Sequence, residues 1–315
     1  MKHFLLIMLS TFVLTACDGE IEYPLRVGTN NWIGYEPLYL ARDVGFYNET
    51  EVKLIEYAST SEVLRAFRNK SLDVAALTLD ETLLLMESKT PVQVVLIMDI
   101  SNGADVIMSR PQFKDIVSLK GKRIGVESSA LGAYVLSRAL ALNGLSLNDV
   151  NIVHLNINEH LYAYNQDKVD ALVTFEPVRT KLLDHGAIDI FSSRDIPNEV
   201  IDVLVMRTGD TKTINKKIRR LIKGWFQTLD YIRQDPLEAA TLMGKRIQIE
   251  PEKIHKSMDD LIWADIDHNK MLLTDQQGTL STALKELQAV MLELDLLEHP
   301  VLTDDLFSTE MLFTN

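Results

Sequence analysis

Short apolar runs rich in β-branched residues alternate with stretches of helical periodicity along most of the chain. Leu25-Arg26-Val27-Gly28-Thr29 reads as a strand. Pro37 near the start and Gly45 after the end bracket a helix over roughly 37–44, with Leu40 and Val44 on one face. Val52-Lys53-Leu54-Ile55-Glu56 is a second strand. Ser59 with Glu62 then forms a capping-box pattern ahead of Val63, Leu64 and Phe67. Asp73-Val74-Ala75-Ala76-Leu77 is a third strand, and Thr78 with Glu81 repeats the capping pattern. The run from Val92 to Met98 is too apolar for a surface strand, which predicts burial on both faces.

A second unit of the same kind begins near residue 110. Gly121–Val126 is its opening strand, followed by a helix from about Ala130 to Leu142 that stops at Asn143-Gly144. Strands near Val150–Leu155 and Val169–Thr174 flank a helix over about 159–166. Beyond a strand at Val200–Met206 the pattern turns mostly helical, with candidates at Ile214–Gln234, Leu237–Arg246, Glu252–Ile262 and Gln276–Leu297. Strands alternating with helices predict an α/β protein with doubly wound, mostly parallel sheets. No repeat of fixed 20–50 residue period and no low-complexity linker is visible, so two sheet units are expected to pack against each other.

The first residues follow a different pattern. After Lys2, an apolar run from Phe4 to Val13 leads to Leu14-Thr15-Ala16-Cys17. A charged start, a short hydrophobic stretch and small residues before the cut describe a secretory signal, too short for a membrane span. The ending looks like a bacterial lipobox, which implies cleavage after residue 16 and lipidation of the Cys17 thiol; a plain signal peptide with a chance cysteine is the alternative. Residues 17–23 are then a lipid-anchored linker. Asp18 resembles an inner-membrane retention signal, giving an expected location on the periplasmic side of the inner membrane, or on the outer face where there is no outer membrane.

Cys17 is the only cysteine, so no disulfide forms within the chain, and the fold rests on packing. The net charge of −13 disfavours nucleic acid, whose affinity comes largely from Lys and Arg on phosphates. Lys216-Lys217-Ile218-Arg219-Arg220 is a local basic exception that reads as a solvated helix face.

Four segments together resemble the substrate-binding proteins of ABC importers, in the branch that binds nitrate, taurine and other sulfonates, and the pyrimidine precursor of thiamine. They are Trp32 to Ala41 with Gly45-Phe46-Tyr47, Ser71 to Ala75, Ser118 to Val126, and Val169 to Pro177. The resemblance covers most of residues 25–206. It implies two α/β lobes joined by two strand crossings, placed here near Ala104–Arg110 and Val200–Arg207, with a ligand in the cleft between them. Lobe 1 would comprise 24–108 plus 204–315, and lobe 2 would comprise 109–203. A monomer that closes on its solute and docks on an ABC permease is the implied mode of action. Docking on a membrane signalling receptor is the alternative.

Ligands in such sheets bind outside the carboxyl ends of the strands. Candidate ligand residues are therefore Asn31, Trp32 and Tyr35 after the first strand, Asp80 after the third, and Asn102 before the first crossing. Asp80 serves equally well as a helix-terminal carboxylate. Glu127, Ser128 and Ser129 lead into the helix at Ala130, where the serines also suit the N-cap. Relatives that bind sulfonate or nitrate use this loop for the anion, and Glu127 argues against an anion here. Glu176, before Pro177, completes the set. Carboxylates without matching Arg or Lys, beside Trp32, point to a small nitrogen-containing ligand, cationic or neutral. No nucleophile elbow, P-loop, His-Glu-x-x-His or dinucleotide motif occurs, and the histidines show no metal-ligand spacing. No catalytic residue, metal or cofactor is expected; a carboxylate-dependent enzyme is the remote alternative.

Overall fold

A computed structural model describes residues 23–127, 130–209, 212–274 and 278–312. The elements run β1 Leu25–Thr29, α1 Glu36–Asp43, β2 Val52–Glu56, α2 Thr60–Arg68, β3 Val74–Thr78, α3 Leu79–Glu87, β4 Val92–Ser101 and β5 Val106–Ser109. They continue β6 Arg123–Val126, α4 Ala130–Leu142, β7 Asn151–His154, α5 His160–Asn165, β8 Ala171–Thr174, α6 Val178–Asp184, β9 Ile188–Ser192 and β10 Ile201–Arg207. The rest is α7 Lys212–Gln234, α8 Pro236–Ile247, α9 Pro251–Met258, β11 Leu261–Trp263, α10 Ile266–Thr274 and α11 Thr279–Glu293. Residues 1–22, Ser128 and Ser129 lie outside the described residues, and with them Cys17.

Two sheets form two lobes. One has the order β11-β4-β10-β3-β1-β2, the other β7-β6-β8-β5-β9. β1 pairs parallel with β2 and β3, as β6 does with β7 and β8. The strands that carry the chain between lobes run against their neighbours: β10 is antiparallel to β3 and β4, and β5 to β8 and β9. The chain leaves the first sheet after Ser101 and returns before Ile201. The passages overlap only the first residues of the expected crossings, because Val106–Ser109 and Ile201–Arg207 are ladder strands.

Each lobe is clamped the same way at the opposite, amino-terminal end of its strands. Arg26 donates to both oxygens of Asp73 at 3.0 and 2.5 Å, and Arg123 to both of Asp170 at 3.1 and 3.0 Å. These bidentate forks tie the first strand of each unit to its third. Gly28 and Gly125 occupy matching strand positions, where a Cβ would strike Leu72 and Leu172 respectively.

Val94 to Met98 are fully buried, as the apolar run predicts. The stretch expected as one helix over 252–262 is instead α9 followed by β11, whose residues pair with Ser101, Ile100 and Asp99 of β4. Backbone bonding to an open sheet edge outweighs local helical periodicity there. α10 docks beside it through buried Asn269, which accepts the Ile97 N–H at 2.7 Å and donates to the Ile97 carbonyl at 2.9 Å. α7 and α8 pack on α1, and α11 on α3, so the helical third covers the first lobe.

Candidate functional site

The carboxyl ends of β1, β3, β6 and β8 converge between the lobes. A cavity of about 20 Å³ lies there, lined from the first lobe by Asn30, Trp32, Thr60, Thr78, Glu81 and Asp202. Glu127, Leu131 and Phe175 face them from the second, and Asp105 comes from the passage between sheets. Trp32 meets Phe175 edge to face across the gap, with ring centres 5.3 Å apart and planes at 88°. A volume of this size admits a water-sized group, so a larger solute enters only when these rings part.

Local sequence explains each placement. The turn after β1 carries Asn30, whose Nδ2 donates to Thr60 Oγ1 at 2.9 Å, and it turns Trp32 inward. Gly34 follows because any Cβ would lie 2.3 Å from Trp32 Nε1 and 2.4 Å from Asp99 Oδ2. Tyr35 is buried, and its hydroxyl donates to Asp202 Oδ1 at 2.5 Å. Glu81 accepts the Thr78 backbone N–H at 3.0 Å, the capping contact its spacing predicts, and it also lines the cavity.

Buried acid dominates the electrostatics. Asp80, Glu81, Asp99, Asp105, Glu127 and Asp202 are each at most 6% exposed, and no Arg or Lys is among the described lining residues. Burial pushes Asp80 up to about 6 and both Asp105 and Glu127 up to about 7. It drives Glu81, Asp99 and Asp202 well above the usual carboxylate range, and mutual repulsion adds to the effect. Asp99 and Asp202 face each other in the β4–β10 ladder, so burial and then their mutual repulsion both disfavour the charged forms. Trp32 Nε1, Asp105 Oδ2 and Glu127 Oε1 are buried without a hydrogen-bond partner. Burying such atoms is costly unless something binds them.

Of the residues expected from sequence, the structure brings Trp32 and Glu127 to the cavity and puts Tyr35 directly behind it. Asp80 is buried at the first turn of α3, with Oδ2 unpartnered, but it does not line the cavity. Asn31 is half-buried beside the cavity, and Asn102 spends its backbone N–H on the Asp260 carbonyl. Glu176 is not among the residues that line this cavity. Its carboxylate accepts Thr180 N–H and Oγ1–H at 3.2 and 3.0 Å, at the start of α6. There it borders a separate hollow of about 170 Å³ with Arg179, Lys253, Lys256 and Asp260. The neighbouring Phe175 points to Trp32 instead, since adjacent side chains at a strand end leave on opposite sides.

Sequence reasoning missed Asp105, Asp202 and Phe175, and read Glu81 as a cap alone. Asp202 had a legible signal: a lone carboxylate inside the apolar run Ile201 to Met206.

A protein of Brucella abortus (strain 2308) named for a binding role is 22% identical over 151 residues, 47% of this chain and 47% of that protein. The chain thus spans about half the length of the curated relatives of this kind. A Haemophilus influenzae protein named for thiamine biosynthesis is 23% identical over 235 residues, 72% of this chain and 73% of that protein. The alkanesulfonate-binding protein SsuA from Xanthomonas axonopodis pv. citri, solved bound to MOPS, superposes with a TM-score of 0.74. It is 17% identical, over 89% of this chain and 96% of its own. A DszB mutant in complex with biphenyl-2-sulfinic acid gives 0.67 at 16% identity, over 93% and 98%; another structure names DszB a desulfurization enzyme. The fold is therefore that of the two-lobed periplasmic binding proteins, and an enzyme shares it. Residues 19–247 match the NMT1-like family, and the chain belongs to it.

Proposed function

We propose that this protein is an extracytoplasmic solute-binding protein of the ABC-import type, held at the membrane through lipidated Cys17. It closes on a small nitrogen-containing molecule, cationic or neutral, and presents the closed form to a permease. The observation that carries this reading is the interlobe cavity, walled by Glu81, Asp105, Glu127 and Asp202 and the Trp32–Phe175 pair, with no Arg or Lys among its described lining residues. Donors on the solute would satisfy carboxylate oxygens that the protein leaves bare. A sulfonate would be repelled.

Mass spectrometry of the freshly purified, denatured protein identifies retained cargo. Titration calorimetry against amines, amidines, pyrimidines and sulfonates then ranks the classes. Nitrogen-containing solutes are expected to bind; tight sulfonate binding without amine binding overturns the reading. Recovering the solute unchanged after long incubation separates binding from catalysis of the DszB kind. The mass of the mature amino terminus tests the acylated Cys17. Crosslinking in membranes tests the partner, a permease here against a signalling receptor in the alternative.

A further inference from the structure

Among the described residues the interlobe acids meet no counter-cation. Asp80 and Glu81 come from α3, Asp99 from β4, Asp105 from the passage between sheets, Asp202 from β10, and Glu127 from the end of β6. The cations nearest the passage are already engaged. Arg179 binds Asp189 and Asp260, and Arg194 sits over Gly103 and also binds Asp260. On α4, Arg138 binds Glu199, which also takes the Tyr134 hydroxyl. Buried His160 contacts Thr174 Oγ1 at 3.2 Å, and burial holds it down at about 4, so it supplies no charge near neutrality. Tyr35 is neutral and donates its only proton to Asp202.

Six buried carboxyls cannot all ionise in a dry space without compensation. Two observations independent of the acids point to a ligand as the compensator. Trp32 lines the cavity while its buried indole N–H has no hydrogen-bond partner, and its ring meets Phe175 of the other lobe across the gap. An indole N–H seeks an acceptor and a ring face attracts an organic cation, whereas a bare metal ion uses neither. Resting on the reading above, we infer that the solute is an organic cation bearing a hydrogen-bond acceptor for Trp32, and that it enters in exchange for protons held by the carboxyls. The charge balance is one proton released to solvent for each positive charge that enters, drawn from Asp105, Glu127 or the Asp99–Asp202 pair. The pair Asp105 and Glu127, each held up at about 7, fits release near neutral pH.

Benzamidinium and benzamide test this, being near-isosteric, with the first charged throughout the range from about pH 5 to about pH 8. On the full chain, benzamidinium is expected to bind at least about tenfold more tightly than benzamide at about pH 8. Its affinity should rise by up to about tenfold per pH unit between about pH 5 and about pH 7 for each proton released. Calorimetry in phosphate and in Tris should give different heats, reporting that release. Asp105→Asn and Glu127→Gln, checked for folding by circular dichroism, should each flatten the pH slope. Equal affinity for the two probes, a flat pH profile or identical heats in both buffers overturns the exchange while leaving a nitrogenous solute intact. No benzamidinium binding at millimolar concentration also overturns it, and the identity of the retained cargo then decides the parent reading separately.

Discussion

Arg179 of α6, in the second lobe, places its Nη1 2.6 Å from an Asp260 oxygen just before β11, in the first. The other Asp260 oxygen takes Arg194, and Lys253 of α9 reaches Asp184 of α6 at 2.8 Å. These contacts span the lobes beside the passage between the sheets, where Arg179 also reaches the Gly103 carbonyl. The Arg179–Asp260 bond is largely buried and charge-assisted, so it counts for more than the exposed Lys253–Asp184 pair.

Asp260→Asn should therefore loosen closure. We expect solute dissociation to speed up by about tenfold, corresponding to about 1.4 kcal/mol. Small-angle scattering should show a larger radius of gyration without solute. An unchanged dissociation rate and unchanged radius would remove the latch role.

Gly34→Ala introduces a methyl group 2.3 Å from Trp32 Nε1 and 2.4 Å from Asp99 Oδ2. Overpacking of this kind costs about 1–3 kcal/mol. A lowered melting temperature, together with weaker solute binding as Trp32 is pushed aside, is the expected outcome of paired calorimetric measurements.

Glu127 gives a signed pH prediction. Its carboxyl sits at about 7 when folded, against 4.5 when free, because burial disfavours the charge. Between those values the folded state keeps a proton that the unfolded state has lost, so its contribution to stability declines as pH rises from about 4.5 to about 7. Gln cannot ionise. Without solute, Glu127→Gln should be more stable than the parent at about pH 8, by about 1–3 kcal/mol, and nearly equal to it at about pH 4.5. Urea melts at the two pH values check this, and equal effects at both would contradict the burial argument.

Asn269→Leu tests how the helical third is fastened. The amide serves the Ile97 N–H and carbonyl and the Ala264 carbonyl at 2.7–3.0 Å, all buried. Leaving these backbone groups bare should cost about 2–5 kcal/mol in chemical denaturation. A change within about 0.5 kcal/mol, the size of an ordinary surface substitution, would show that water or neighbours replace the amide.

Much of the scaffold is legible in the sequence. The capping patterns at Ser59–Glu62 and Thr78–Glu81, the β-branched runs at Leu25–Thr29 and Val52–Glu56, and the doubly buried β4 all report local physics, which a sequence carries openly. β5, β9 and β11 escape that reading, though Ile188-Asp189-Ile190 alternates as a strand should. Their partners lie far away in the chain, and a short run gains strand bonding only when an open edge is offered. The matching Arg26–Asp73 and Arg123–Asp170 clamps, both spanning 47 residues, show the lobes to be variants of one unit. That span exceeds what a helix or hairpin repeat would show, and only the coordinates reveal it.

For the site the division is sharper. Residue type and position at strand ends suffice to single out Trp32 and Glu127, which line the cavity, and the shortage of cations beside acids can be read from composition near those loops. Which acids share one desolvated space is decided by the fold alone. β10 returns antiparallel between β3 and β4, carrying Asp202 against Asp99 and Tyr35, and the turn after β8 sends Phe175 inward and Glu176 to the α6 terminus. Periodicity encodes which face of an element is buried; what meets it there depends on strand order, and strand order is set by packing across the whole chain.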